Sequence, residues 1–316
     1  MIIKKIIFLL SILLVFVSCT KEHDKIKNDN INNKEIIDST KTRVVLLGTG
    51  TPNPTPERSG PAVAVIVNGQ AYLVDAGPGI VRRISASYNN GIKALKIDKV
   101  RTLFLTHLHS DHTTGLPDLL LNSWVLGRDK PFFVYGPKGT KNLTSKILEA
   151  YKDDIDNRLD GLEPIDKEGY KIEALEFDEG LVYRDSNVIV YAYRVEHGTW
   201  KSAYALKFVT HDRVITISGD CKPCEGILAA SKGCDLLIHE VYSYKGFLTK
   251  KPEWQKYHKL SHTSTYELAV LANKVKPKKL VLYHVLSWGS TPENLLQEIK
   301  NSYNGNVECG SDLGVY

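Results

Sequence analysis

The run Val100–Leu105 ends at Thr106 and leads directly into His107, Leu108, His109, Ser110, Asp111 and His112. Three histidines and a carboxylate thus stand within six residues of the end of a buried strand. His107 and His109 are two apart and can share one face of an extended loop, and Asp111 and His112 continue around the turn. One ion cannot easily take all four groups from so short a loop, whereas two adjacent ions can. Imidazole with carboxylate favours zinc, with iron or manganese as alternatives. No other segment of the chain restricts its fold and chemistry as strongly.

The remaining pattern is that of an ordinary globular domain. Arg43–Leu47 is apolar and ends in the tight loop Gly48–Pro54. Ala62–Val67 and Gln70–Val74 flank Asn68-Gly69, a two-residue hairpin signal. Strands are also predicted at Pro131–Tyr135, Tyr170–Phe177, Asn187–Val195, Ala203–Val209, Val214–Ser218, Leu236–His239 and Leu280–Tyr283. Helices are predicted at Ile80–Tyr88, Leu116–Leu126, Lys138–Tyr151, Thr263–Lys274 and near Pro292–Asn301. Strand-rich and mixed stretches alternate twice, which predicts an α/β architecture of two sheets packed face to face with helices on the outer faces. No linker composition interrupts residues 43–316, which therefore read as one domain.

Residues 1–19 are a separate object. Met1–Lys5 is basic, and Ile6–Val17 is apolar apart from Ser11. A helix of that length rises about 18 Å, too little for a hydrocarbon core about 30 Å thick, so the segment reads as a signal peptide. Ser18 then precedes Cys19, a pattern that resembles the lipobox of bacterial lipoproteins. That resemblance implies a lipidated Cys19 as mature N-terminus, and an exported, membrane-anchored protein on the periplasmic or cell-surface face. Residues 20–42 are polar and rich in Asn and Lys, and read as a tether.

Charge does not identify a partner. The formal balance of +5 falls further once Lys4 and Lys5 are set aside with the leader. It is too weak to point to nucleic acid, and no specific nucleic-acid partner is expected. A homodimer is carried as one option for the assembly.

With its His-x-His-x-Asp-His segment, the chain resembles the metallo-β-lactamase superfamily. The resemblance extends to His197 in Arg194–Gly198, to Asp220 in Ser218-Gly219-Asp220, and to His284 at the end of Leu280–His284. It implies an αββα sandwich holding two divalent ions, most simply zinc, with manganese or iron as alternatives. His107, His109 and His197 would hold one ion, Asp111, His112 and His284 the other, and Asp220 would bridge them. Ile238-His239-Glu240 and Ser261-His262-Thr263-Ser264-Thr265 resemble segments of ribonuclease Z and of phosphodiesterase- and arylsulfatase-like relatives. Leu47–Pro52 and Leu73–Gly79 match that branch too.

The branch implies that Glu240 and His262 move protons at the scissile bond. A carboxylate beside an imidazole would keep His262 protonated and aimed at a leaving oxygen. A water shared by two ions would be available as hydroxide near neutral pH, oriented by Asp111 and Asp220. Asp75 is a candidate partner for a ligand histidine. The implied activity is hydrolysis of phosphodiester or sulfate ester bonds in a small-molecule or oligomeric substrate. The alternatives are a lactonase or other superfamily hydrolase, then a β-lactamase, which the bridging Asp220 disfavours, or a non-catalytic metal-binding lipoprotein. The leader, the weak charge and the lack of a long Gly- and basic-rich arm separate this chain from tRNA-processing ribonuclease Z itself.

Other residues receive blander readings. His239 is expected to make a core hydrogen bond, and His23 and His211 to be solvated. Trp124, Trp200 and Trp254 are candidates for a cleft wall, although core packing is the commoner use of tryptophan. Cys221 stands where the branch usually has Thr after the bridging Asp, and with Cys224 three residues on it reads as a local disulfide or two packed thiols. Cys234 and Cys309 are unassigned.

Overall fold

A strand covered on both faces has no reason to alternate, and Arg43–Gly48 (β1) does not. Val44 and Leu46 belong to the cluster between the two sheets, and Val45 and Leu47 to the cluster beneath the outer helices. The computed structural model describes residues 41–316, so the leader, Cys19 and most of the expected tether lie outside the described residues. Among the described residues no helix is long and apolar enough to cross a membrane.

The first sheet has six strands in chain order: β1, Ala62–Val67 (β2), Gln70–Val74 (β3), Thr102–Phe104 (β4), Phe132–Gly136 (β5) and Ile172–Glu176 (β6). Its first two pairings are antiparallel and the rest parallel. The second sheet has seven strands: Gly180–Arg184 (β7), Ile189–Arg194 (β8), Tyr204–Val209 (β9), Val214–Ile217 (β10), Leu236–Tyr242 (β11), Lys279–Leu286 (β12) and Val307–Cys309 (β13). It also begins antiparallel and turns parallel from β10 onward.

The helices are Ile80–Asn89 (α1), Ser110–Thr113 (α2), Leu116–Val125 (α3), Thr140–Ala150 (α4), Lys152–Asp160 (α5), Glu225–Ser231 (α6), Tyr244–Phe247 (α7), Pro252–Ser261 (α8), Thr265–Val275 (α9) and Pro292–Lys300 (α10). Those that matter for packing seal the outer faces: Ile84 and Leu119 on the first sheet, Ile227, Leu268 and Leu295 on the second. This is the expected α/β sandwich of two mixed sheets with helices outside.

The predicted helix Lys138–Tyr151 stops at Ala150, and α5 follows it almost at once. β7, α7 and α8 carry no clear apolar period in sequence. For α8 the usable signal was Pro252 at its first position with Glu253 beside it.

The ligand-bearing loops are zipped together by backbone. Ala76 N–H donates to the His112 carbonyl at 2.8 Å, and Gly115 N–H to that of Ala76 at 2.9 Å. Gly77 permits this close approach, since a Cβ there would meet the Gly60 carbonyl carbon at 2.4 Å and the Asp111 oxygen at 2.7 Å. Both contacts are to backbone that cannot rotate away. Gly77→Ala is expected to cost about 1–3 kcal/mol, read as a lower midpoint in thermal or urea unfolding. An unchanged midpoint would show that the loops can part without cost.

Candidate metal centre

Every expected metal ligand, and Glu240, sits on or just beyond a sheet strand, and the two sheets bring these positions to one edge of the sandwich, whereas His262 caps the C-terminal end of α8. His107, His109, Asp111 and His112 follow β4, and His197 follows β8. Asp220 follows β10, Glu240 lies on β11 and His284 on β12. Two donor groups form: His107, His109, His197 and Asp220, and then Asp111, His112 and His284. Within each group the donor atoms lie within 4.8 Å of one another. Asp220 reaches both groups, with Oδ1 at 3.3 Å from His112 Nε2 and Oδ2 at 3.4 Å from His284 Nε2 and 3.9 Å from His197 Nε2. Asp111 Oδ2 is 3.2 Å from His284 Nε2.

Proton bookkeeping shows that these residues fit cations. The Ser261 carbonyl lies 2.7 Å from His197 Nδ1, and a carbonyl only accepts, so Nδ1 carries the proton. Asp75 accepts from His112 Nδ1 at 2.8 Å. Thr106 Oγ1 donates to Asp75 at 2.9 Å and is thereby left to accept from His107 Nδ1 at 3.0 Å. With Nδ1 holding the proton, Nε2 of each of the three imidazoles is directed at the centre, as a free lone pair in His107 and His197. Nε2 of His107 and of His197 each lie 3.0 Å from the same atom, His109 Nδ1, which has at most one proton to give. Buried His112 Nε2 and Asp220 Oδ1 have no hydrogen-bond partner. Shared divalent ions would satisfy all of these atoms, and anchored Nδ1–H groups are the usual support for such ligands.

The electrostatics agree. Burial holds the His107 imidazole well below its ordinary range, and holds His109 and His197 at about 4, so all three are neutral at pH 7. Burial opposes the charge on Asp220, but His284 and His112 outweigh it and keep the carboxyl well below the usual range. His112 is pushed well above the ordinary imidazole because Asp220 and Asp75 overcome its burial. The backbone at the site is unusual as well: Asp75, His284 and Trp288 adopt positive φ of 60°, 44° and 44°. Such conformations in non-glycine residues cluster at functional sites.

Glu240 and His262 meet as the sequence predicts, with His262 Nδ1 3.1 Å from Glu240 Oε1 and 3.9 Å from Asp220 Oδ2. The charge state differs from expectation. Burial and the neighbouring Asp220 push the Glu240 carboxyl well above its usual range, and burial lowers His262 to about 4. Both shifts favour the neutral forms, a protonated Glu240 beside an uncharged His262. His262 also groups with Asp220 and His284 as a possible donor set.

A cleft of about 400 Å³ opens over these groups, lined by His109, Asp111, Asp220, His262 and His284 together with residues of α8 and the loop after β12. Of the three tryptophans expected as wall candidates, Trp254 lines it. Trp200 sits at its edge with the indole N–H directed at His109 Nε2. Trp124 is buried in the core and donates to the Asp166 carbonyl at 2.7 Å, so it forms no part of the wall. Lys250, Tyr257, His258 and Trp288 line the cleft without any sequence signal for that role. Cys221, Cys224, Cys234 and Cys309 are all free thiols, with no disulfide between Cys221 and Cys224.

Asp75 holds two elements at once, His112 and the Thr106 hydroxyl that supports His107. Asp75→Ala is expected to weaken metal affinity by about 10–100-fold, measured by titration against a competing chelator. Unchanged affinity would reduce Asp75 to a turn residue.

Known proteins match this arrangement. The family model for the beta-lactamase superfamily domain matches residues 70–285. Ribonuclease Z of Mycobacterium bovis (strain BCG / Pasteur 1173P2) is 30% identical over 277 residues, covering 85% of this chain and 96% of the relative. The metallo-beta-lactamase fold protein YhfI from Bacillus subtilis superposes with a TM-score of 0.67 at 16% identity, over 87% of this chain and 98% of that one. Human tRNase Z, short form, superposes with a TM-score of 0.62 at 24% identity, over 87% and 98%. Relatives named as ribonucleases conflict with the expectation of no nucleic-acid partner. By its sequence match, its sheets and its paired donor groups, this chain belongs to the beta-lactamase superfamily, as a ribonuclease Z-like hydrolase of the metallo-β-lactamase fold.

Proposed function

We propose that the chain hydrolyses phosphodiester bonds with two divalent ions, zinc by the chemistry of its donors. His107, His109 and His197 would hold one, Asp111, His112 and His284 the other, and Asp220 would be shared. When bound, such ions polarise a phosphoryl oxygen and lower the pKa of water. The chain's own residues do the rest. Asp75 and the Ser261 carbonyl fix imidazole orientation. Glu240 aims His262, and His262, which lines the cleft, would give its Nε2 proton to the departing oxygen while its Nδ1 takes up the proton of the Glu240 carboxyl.

The observation that carries this reading is the Glu240–His262 pair abutting Asp220, because a proton source beside the donor groups serves a poor alkoxide leaving group. The ribonuclease name of the relatives favours a phosphodiester over a sulfate ester and brings RNA among the candidate substrates, in place of the earlier expectation. Turnover compared on bis-p-nitrophenyl phosphate, a short RNA, p-nitrophenyl sulfate, a lactone and a cephalosporin tests it. Phosphodiester turnover is expected to dominate, and turnover confined to the sulfate, lactone or cephalosporin would overturn the reading.

We also propose that the protein is exported and anchored by lipid on Cys19, supported by the pattern of residues 1–19. Cys19→Ser is expected to abolish incorporation of labelled palmitate and to move the protein from the membrane to the soluble fraction. Unchanged labelling and fractionation would contradict the anchor.

A further inference from the structure

We infer that the cleft wall built by Trp254 and Tyr257 is a subsite for a planar aromatic group of the ester substrate, seated beside His262. The inference rests on the phosphodiester reading and names its substrate class. Trp254, Tyr257 and His258 stand at helical spacing on α8, so one face of the helix presents all three to the cleft. Their rings form a chain that leads to the candidate centre. Trp254 lies over His258 with centroids 5.8 Å apart at 26°, and Tyr257 meets His262 edge-on at 6.0 Å.

Packing of α8 does not account for the two outer rings. His258 does that work, only 7% exposed and with its ring 4.4 Å from that of Trp288. Trp254 and Tyr257 remain 52% and 41% exposed, unlike Trp124 at 0%, so each keeps a free face. Exposed aromatic faces bind planar rings by stacking with little regard to ring identity.

Charge completes the description of the ligand. Among the residues lining the cleft, Lys250 is the one fixed cation, its Nζ 4.8 Å over the Trp288 ring. The anionic residues lining it, Asp111 and Asp220, are those the ions would neutralise. A ring attached to an anionic phosphoryl group matches this wall, and a cleft of about 400 Å³ is of the size that takes a small ligand. Nucleobase and simple aryl group share this chemistry.

Isothermal titration calorimetry on the metal-loaded full-length chain tests the subsite, with methylphosphonate, phenylphosphonate and adenosine 5′-monophosphate as probes. At least one aromatic probe is expected to bind about tenfold or more tightly than methylphosphonate. That preference should collapse to about twofold in Trp254→Ala/Tyr257→Ala, with methylphosphonate affinity unchanged, and should largely survive in Trp254→Phe. Unchanged methylphosphonate affinity also shows that the double variant is folded. Preference for the nucleotide alone supports a nucleobase ester, and preference for phenylphosphonate alone an aryl ester. Equal affinity for all three probes, or a preference that survives the double alanine variant, overturns the subsite. Absent phosphodiester turnover with the aromatic preference intact would instead fail the hydrolase reading alone.

Discussion

Asp220→Ala is expected to lower kcat/KM on a phosphodiester by about 10³-fold or more, beyond the 10–100-fold range typical of an outer-sphere partner. Bound metal should fall from two ions per chain to at most one. Asp220 is the one carboxylate in contact with both donor groups, within 3.3 to 3.9 Å of His112, His284 and His197. Its removal leaves four buried imidazoles, those of His107, His112, His197 and His284, without the negative charge that offsets cations placed among them. Asp220→Asn separates charge from shape, since it keeps the volume and loses the second anionic oxygen. It should resemble the alanine variant in metal content. If either variant retains two ions and near-parental turnover, Asp220 does not bridge.

His262→Ala is expected to reduce kcat about 10²–10⁴-fold on substrates with an alkoxide leaving group. The loss should be much smaller on p-nitrophenyl esters, whose leaving group needs no proton. Metal content should stay at two ions. That combination separates proton delivery from ligation, a needed distinction because His262 also groups with Asp220 and His284 as donors. Lost metal and equal loss on both classes of leaving group would make His262 a ligand or a structural residue. Glu240→Gln should follow His262→Ala in direction at smaller size, since Glu240 acts by holding His262 Nδ1 at 3.1 Å. Near-parental kcat on alkoxide esters in that variant would remove Glu240 from the proton path.

Much of this geometry was legible because strand ends carry it. A dense run of donors behind Val100–Leu105 has few uses other than a metal site, and the family resemblance singled out His197, Asp220 and His284, each on or shortly after a predicted strand. The hairpin at Asn68-Gly69 is a local signal, and the structure pairs Val67 with Gln70 across it. The shift of the Glu240–His262 pair toward its neutral forms was not legible, because it depends on burial by elements distant in sequence. Nor was the cleft wall. α8 alternates aromatic residues with lysines in a segment without an apolar period, and Trp288 reaches the cleft only through a left-handed backbone turn at φ 44°. Trp124 shows the converse, since a tryptophan in a helix near the donor loop faces the core.

The most direct test is the metal content of the full-length chain purified without chelator, read together with turnover of bis-p-nitrophenyl phosphate before chelation, after it, and after zinc is returned. Two ions per chain, with turnover lost on chelation and restored by zinc, is the expected result. Turnover that survives removal of all metal, or a chain that carries two ions and cleaves no phosphodiester, would contradict it.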